Sequence, residues 1–221
     1  MGLLKLRKAA FLFLAGLMFL VASCERTDDF SLALVRIPGQ GWSIGKFEVT
    51  QAQYLAVTGE NPSHFKGDAL PVECVSWDDA MEFCKRLTQR EREAGRLPEG
   101  LEYRLPSLEE WGIACRAGTM TRYCSGDTAE DLSRVAWWEE NSGGETHPVG
   151  TKEANAWGIC DMHGNVWEWC LDAGMGADHV SRGGSWNAAA EFCVSGVIGF
   201  DYTDSRERYL GFRVVLAPAG K

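Results

Sequence analysis

The chain has 221 residues, with 22 Lys and Arg against 31 Asp and Glu, for a formal charge of −9. That length supports one domain with a full hydrophobic core. The acidic balance disfavours nucleic-acid backbones and anionic lipid headgroups as partners.

The first element is not part of that core. MGLLKLRK carries Lys5, Arg7 and Lys8, AAFLFLAGLMFL follows, and VASC ends at Cys24. A basic region, a short apolar run and small residues before a cleavage point are the order of a secretory signal peptide. VASC also resembles the bacterial lipobox, in which cleavage falls just before a cysteine that is then lipidated. The expectation is a signal peptide over residues 1–23, a lipidated Cys24 with a short polar tether over 24–31, and one domain over 32–221. Multiple acyl chains would hold such a protein firmly on a membrane. Glu25 is not a retention signal of the aspartate kind, so the expected site is the outer membrane in a host that has one. Cleavage would remove Lys5, Arg7 and Lys8 and take the formal charge from −9 to −12.

LALVRIP and SIGKFEV read as two strands around a PGQG turn. Thr50 with Gln53, Ser76 with Asp79 and Ser107 with Glu110 each have the spacing of a helix capping box. The first helix should stop at Gly59 and the second near Gly95, with Ala80, Phe83, Cys84 and Leu87 on its buried face. The third should bury Trp111, Ala114 and Cys115 and stop at Gly118. Beyond residue 118 the chain is rich in glycine and tryptophan, and only NVWEWC and LGFRVVLA read as strands. Long irregular loops of this kind need internal tie points. The composition is that of a loop-rich α+β domain.

Seven cysteines remain without Cys24, an odd number, so at least one thiol is free or pairs between chains. Cys160, His163 and Cys170 have a metal-like spacing but need a further donor for a tetrahedral ion. No serine triad, phosphate-cradling glycine loop or glycosidase carboxylate pair is present.

GKFEVTQAQYLAVTGENPSHFKG, PVECVSWDDAMEFCKRL, YRLPSLEEWGIACRAG, NAWGICDMHGNVWEWC, SRGGSW and LGFR occur in that order. Together they resemble the formylglycine-generating-enzyme, or sulfatase-modifying-factor, family over nearly the whole mature chain. The resemblance implies a loop-rich variant of the C-type-lectin-like fold, with small distorted antiparallel sheets and flanking helices. Family enzymes use a copper-binding cysteine pair to oxidise a substrate cysteine to formylglycine. Soft thiolates suit Cu(I), and low coordination leaves room for substrate and oxygen. Here the first cysteine position is Ala188 and the second is Cys193. A site asparagine falls at Tyr209 and a site tyrosine at Phe192, while Trp169 and Ser185 match. Copper is therefore not expected, and Cys193 is the remaining catalytic candidate. Cys84 and Cys115 match half-cystines whose partners would fall at Ile198 and Val214. That leaves them as buried thiols, or one of them paired elsewhere, with Cys193 for instance.

HGNVWEW resembles the family's calcium loop, with Gly164, Asn165 and Val166 offering oxygens and Glu168 a carboxylate. The alternative at Glu168 is a carboxylate that binds loop amides without an ion. In an extended strand Trp167 and Trp169 point away from Glu168. The resulting expectation is an anchored binding or structural module for a peptide, envelope protein or glycan. The competing reading is a divergent oxidoreductase that converts a protein cysteine to formylglycine.

Overall fold

The computed structural model describes residues 31–220 apart from Ala177. The expected signal peptide and Cys24 lie outside the described residues.

Two four-stranded sheets organise the domain. In the first, β1 (Leu34–Arg36), β2 (Ser43–Gly45), β8 (Val215–Pro218) and β3 (Leu101–Arg104) run in that order, antiparallel throughout. The β1–β2 hairpin forms around the expected turn, with Leu34 opposite Gly45. In the second sheet the order is β6 (Gly199–Tyr202), β5 (Asp178–Arg182), β4 (Trp167–Ala173) and β7 (Leu210–Gly211). Here β4 and β7 pair in parallel, and β4–β5 carries a register shift after Trp169.

The three helices expected from capping boxes form as α1 (Gln51–Thr58), α2 (Trp77–Glu93) and α3 (Leu108–Arg116). At each start the cap hydroxyl accepts from the backbone three residues on, and that residue's side chain accepts in return. Two otherwise orphaned amides are satisfied reciprocally. A fourth box, Thr128 with Asp131, starts α4 (Ala129–Val135). The α1 stop falls on left-handed Gly59, whereas α3 ends one residue before the expected glycine, on left-handed Ala117.

The buried faces match the one-turn spacings. Ala80, Phe83, Cys84 and Leu87 join Trp169, Leu210 and Phe212 in one apolar cluster. Trp111, Ala114 and Cys115 join Ile44, Cys170 and Val215 in a second. Cys193 and Ala188 lie in a third, with Tyr123, Leu132 and Trp138.

LGFRVVLA is not one strand. It divides into β7 and β8, which belong to different sheets, and Phe212 to Val214 carry the chain between them. Arg213, fully buried, sits at that crossing.

Candidate functional site

Strand alternation places Trp167, Trp169, Ser181, Gly199 and Asp201 on one face of the second sheet, because Trp169 pairs with Ser181 and Ser181 with Gly199. The loop from Ser185 through a 3-10 turn at Ala190–Phe192 covers part of that face. Between them lies a groove of about 330 Å³, lined by Trp167, Ser181, Ser185, Ala188, Phe192 and Asp201, with Asn187, Phe200 and Tyr209 at its sides. Gly199 keeps it open, since a Cβ there would run into Ser181 Oγ and sit about 3.2 Å from the Trp167 ring. Ser185 Oγ donates to Asn187 Oδ1 at 2.8 Å. Ser181 Oγ donates to Asp201 Oδ2 at 3.1 Å. Burial, reinforced by Glu207 and Asp178, pushes the Asp201 carboxyl above its ordinary range.

Ala188 reaches the groove, but Cys193 does not line it. Its residue exposure is 0%, and burial pushes its thiol up to about 12. Gly184 at φ +78 makes the seat for the sulfur, because a Cβ there would lie 2.5 Å from Cys193 Sγ. The Cys193 carbonyl accepts from His163 Nδ1 at 2.7 Å, while His163 Nε2 faces the Cys124 amide at 3.0 Å. The amide requires an acceptor, so the network assigns the imidazole proton to Nδ1. Burial holds His163 down to about 4, in the neutral form that this network needs. All seven described cysteines are free thiols, including Cys84 and Cys115. Cys193 is therefore a packed thiol, and a disulfide to Cys84 or Cys115 is not formed.

Trp169 also lies outside the groove. It matches a site residue by resemblance, yet its ring is wholly buried in the first cluster and its indole N–H donates to Val75 O at 3.0 Å. The tryptophan in the groove is Trp167. Ser185 lines the groove beside it.

The residues of the expected calcium loop do not fit an ion at Glu168. Arg213 Nη2 donates to Glu168 Oε1 at 2.6 Å, and Arg213 Nε to Oε2 at 2.6 Å. Trp111 Nε1 donates to the same Oε2 at 2.7 Å. A guanidinium already supplies the positive charge that calcium would bring. The Asn165 side chain is engaged as well, donating to Glu48 Oε2 and accepting from the His147 amide. Gly164 and Val166 serve packing: a Cβ at Gly164 would collide with Trp137 O, and Val166 is buried. Among the described residues no group of three or more His, Cys, Asp or Glu is placed to hold a metal ion, so Cys160, His163 and Cys170 form no centre. A chelator is accordingly expected to leave the melting temperature unchanged. A drop that excess calcium reverses would restore the ion.

A larger cleft, of about 560 Å³, lies between α2 and β3 beside Met81, Cys84 and Tyr103. It contains none of the sequence-derived site residues.

Two small sheets joined through irregular loops, with a groove where the 183–192 loop covers the second sheet, define a C-type-lectin-like protein of the loop-rich kind. The sulfatase-modifying factor enzyme 1-like domain matches residues 9–218, and the chain belongs to that family. It is 32% identical over 191 residues to the Chaperone protein LppX of Paenibacillus barcinonensis, covering 65% of this chain and 68% of that one. It is 31% identical over 189 residues to the formylglycine-generating enzyme of Streptomyces coelicolor, covering 71% of this chain. It spans about half of that enzyme, 54%. Among solved structures, Treponema denticola variable protein 1 superposes with a TM-score of 0.75 at 28% identity, covering 85% of this chain and 92% of that one.

Proposed function

We propose that the protein is an exported, lipid-anchored binding module that holds a ligand in the groove beside Ala188 without oxidising it. The observation that carries this reading is the burial of Cys193. Where the copper enzymes have two thiolates, this chain has one thiol, and it sits behind Ala188 with no exposed surface. A low-coordinate Cu(I) site needs a second soft ligand, and a thiol held in the protonated form is a poor one. The groove itself is intact, with aromatic walls and a carboxylate. A peptide or envelope protein suits it better than a glycan, and the similarity to a relative named as a chaperone supports a polypeptide ligand. The anchor would be Cys24, in the outer membrane of a host that has one.

Mass spectrometry tests both halves. With copper, oxygen and a thiol reductant, a cysteine-bearing sulfatase-motif peptide should emerge unoxidised. Formylglycine made by wild type and lost in Cys193→Ser would return the protein to the oxidoreductases. The membrane fraction should contain a chain that begins at an acylated Cys24, and an unmodified soluble form would remove the anchor.

A further inference from the structure

We propose that the groove seats the ammonium end of a lysine-type side chain of a partner polypeptide, an inference that rests on the groove being a binding site. Asp201 is the only charged residue among those lining it. Among the described residues the Asp201 side chain accepts one hydrogen bond, from Ser181, and makes no ion pair, and the nearby charges of Glu207 and Asp178 are acidic too. Trp167, Phe192 and Tyr209 line the groove with it. Aromatic rings beside a half-buried carboxylate favour an organic cation, because ring quadrupoles and the carboxylate attract the same sign of charge.

The hydrogen bonds select among cations. A guanidinium binds best as a fork on both carboxylate oxygens, but Oδ2 already accepts from Ser181 Oγ. An ammonium is a point charge with three donors. Asp201 Oδ1 can take one, and the oxygens of Ser185 and Asn187, on the same groove, offer further acceptors. The four-carbon stem of a lysine would lie along the rings while its head reaches the polar end. A volume of about 330 Å³, at the small end of ligand sites, has room for a lysine side chain.

The surroundings indicate that the cation arrives on a polypeptide. Phe192, which lines the groove, is 51% exposed, and Phe200 and Tyr202 stand 58% and 67% exposed on the face of β6 opposite Asp201. β6, which carries two of them, is an edge strand of its sheet. Extended peptides pair with such edges and place alternate side chains in pockets. The chain's net charge of −9 would steer a basic segment toward it.

The test uses three soluble peptides identical except for a central Lys, norleucine or Arg, with choline as a fourth probe. Binding is followed by NMR at the Trp167 indole N–H, assigned through Trp167→Phe. The Lys peptide should bind roughly tenfold tighter than the norleucine peptide. That advantage should vanish in Asp201→Asn, whose melting temperature should not fall below the wild-type value. Equal binding of Lys and norleucine, or an advantage that survives Asp201→Asn, overturns the proposal. Tighter binding of Arg overturns the choice of ammonium, and choline binding as well as the Lys peptide overturns the polypeptide source. If the norleucine peptide binds, is released by Phe192→Ala and gains nothing from Lys, the groove remains a binding site without this subsite. If no probe shifts Trp167, both readings fall.

Discussion

Glu168→Gln is expected to destabilise the domain by about 3–5 kcal/mol, the usual cost of stranding one partner of a buried ion pair. Both side chains are 0% exposed. Arg213 donates to Glu168 from Nε and Nη2 and to Gly45 O from Nη1, and the second Nη2 hydrogen is shared between the carbonyls of Cys160 and Asp161. Gly45 ends β2 in the first sheet and Glu168 lies in β4 of the second, so this one guanidinium joins the two sheets. Burial works against its charge, and Glu168, with Glu48 and Asp161 behind it, more than offsets that, raising the Arg213 pKa further. A glutamine in place of Glu168 can still accept from Trp111, but it meets the guanidinium with one oxygen and one repelling N–H₂. Small domains have about 5–15 kcal/mol in total, so the variant should be barely folded. Urea titration reads the effect as a lower midpoint at unchanged slope. The double variant Glu168→Gln, Arg213→Met should recover part of the loss, because no unpaired charge then remains. A loss below about 1 kcal/mol in the single variant would mean that the pair does not hold the sheets together.

The same residues show how much was legible beforehand. Three capping boxes were visible because their hydrogen bonds join residues three apart. The buried helix faces were visible because side-chain spacing along a helix is regular. The sheets were harder to read. β5 and β6 are short, and β6 exposes Phe200 and Tyr202, so neither shows an apolar-in alternation. The division of LGFRVVLA into two strands depends on contacts with Trp167 and Ser43, which are far away in sequence. Resemblance singled out Ala188, Ser185 and Phe192, which line one groove, and Trp169, which packs in the core while Trp167 lines the groove. Asp201 had no motif at all, and its place follows only from its register opposite His179. Glu168 was legible as an important carboxylate, but its pairing with Arg213 was not. Nothing local in HGNVWEW indicates that the positive charge arrives from Arg213, 45 residues later.

Asp161→Asn is expected to stabilise the protein at pH 7.5 by about 2–3 kcal/mol, the order implied by a carboxyl raised from 3.8 to about 6. Asp161 Oδ2 accepts from the Gly150 amide, while buried Oδ1 has no hydrogen-bond partner. Burial is the main cause of the shift, opposed by the Gly150 amide and Arg213 and reinforced by Glu168. Glu48, wholly buried nearby, is raised well above its ordinary range by burial, then by Asp161 and Glu168. Three carboxylates thus face one guanidinium, and the folded state retains a proton that the unfolded chain has already released. Stability from this source is therefore greatest below about pH 4, falls as pH rises toward about 6, and is level above that. Other carboxylates shift the opposite way: Asp79 and Glu110 are lowered by their arginine partners and cap hydrogen bonds despite partial burial. Their contribution is lost as pH falls, so the curve to examine is the difference between variant and wild type. That difference should be small at pH 4 and grow to its full value by about pH 7. Asparagine keeps the acceptor for Gly150 and brings an N–H₂ toward the carboxylates instead of a charge. If Asp161→Asn instead destabilises the protein at pH 7.5, the carboxylate is wanted in its charged form. Its counter-charge would then be a bound cation, and the chelator experiment on wild type would show the same loss.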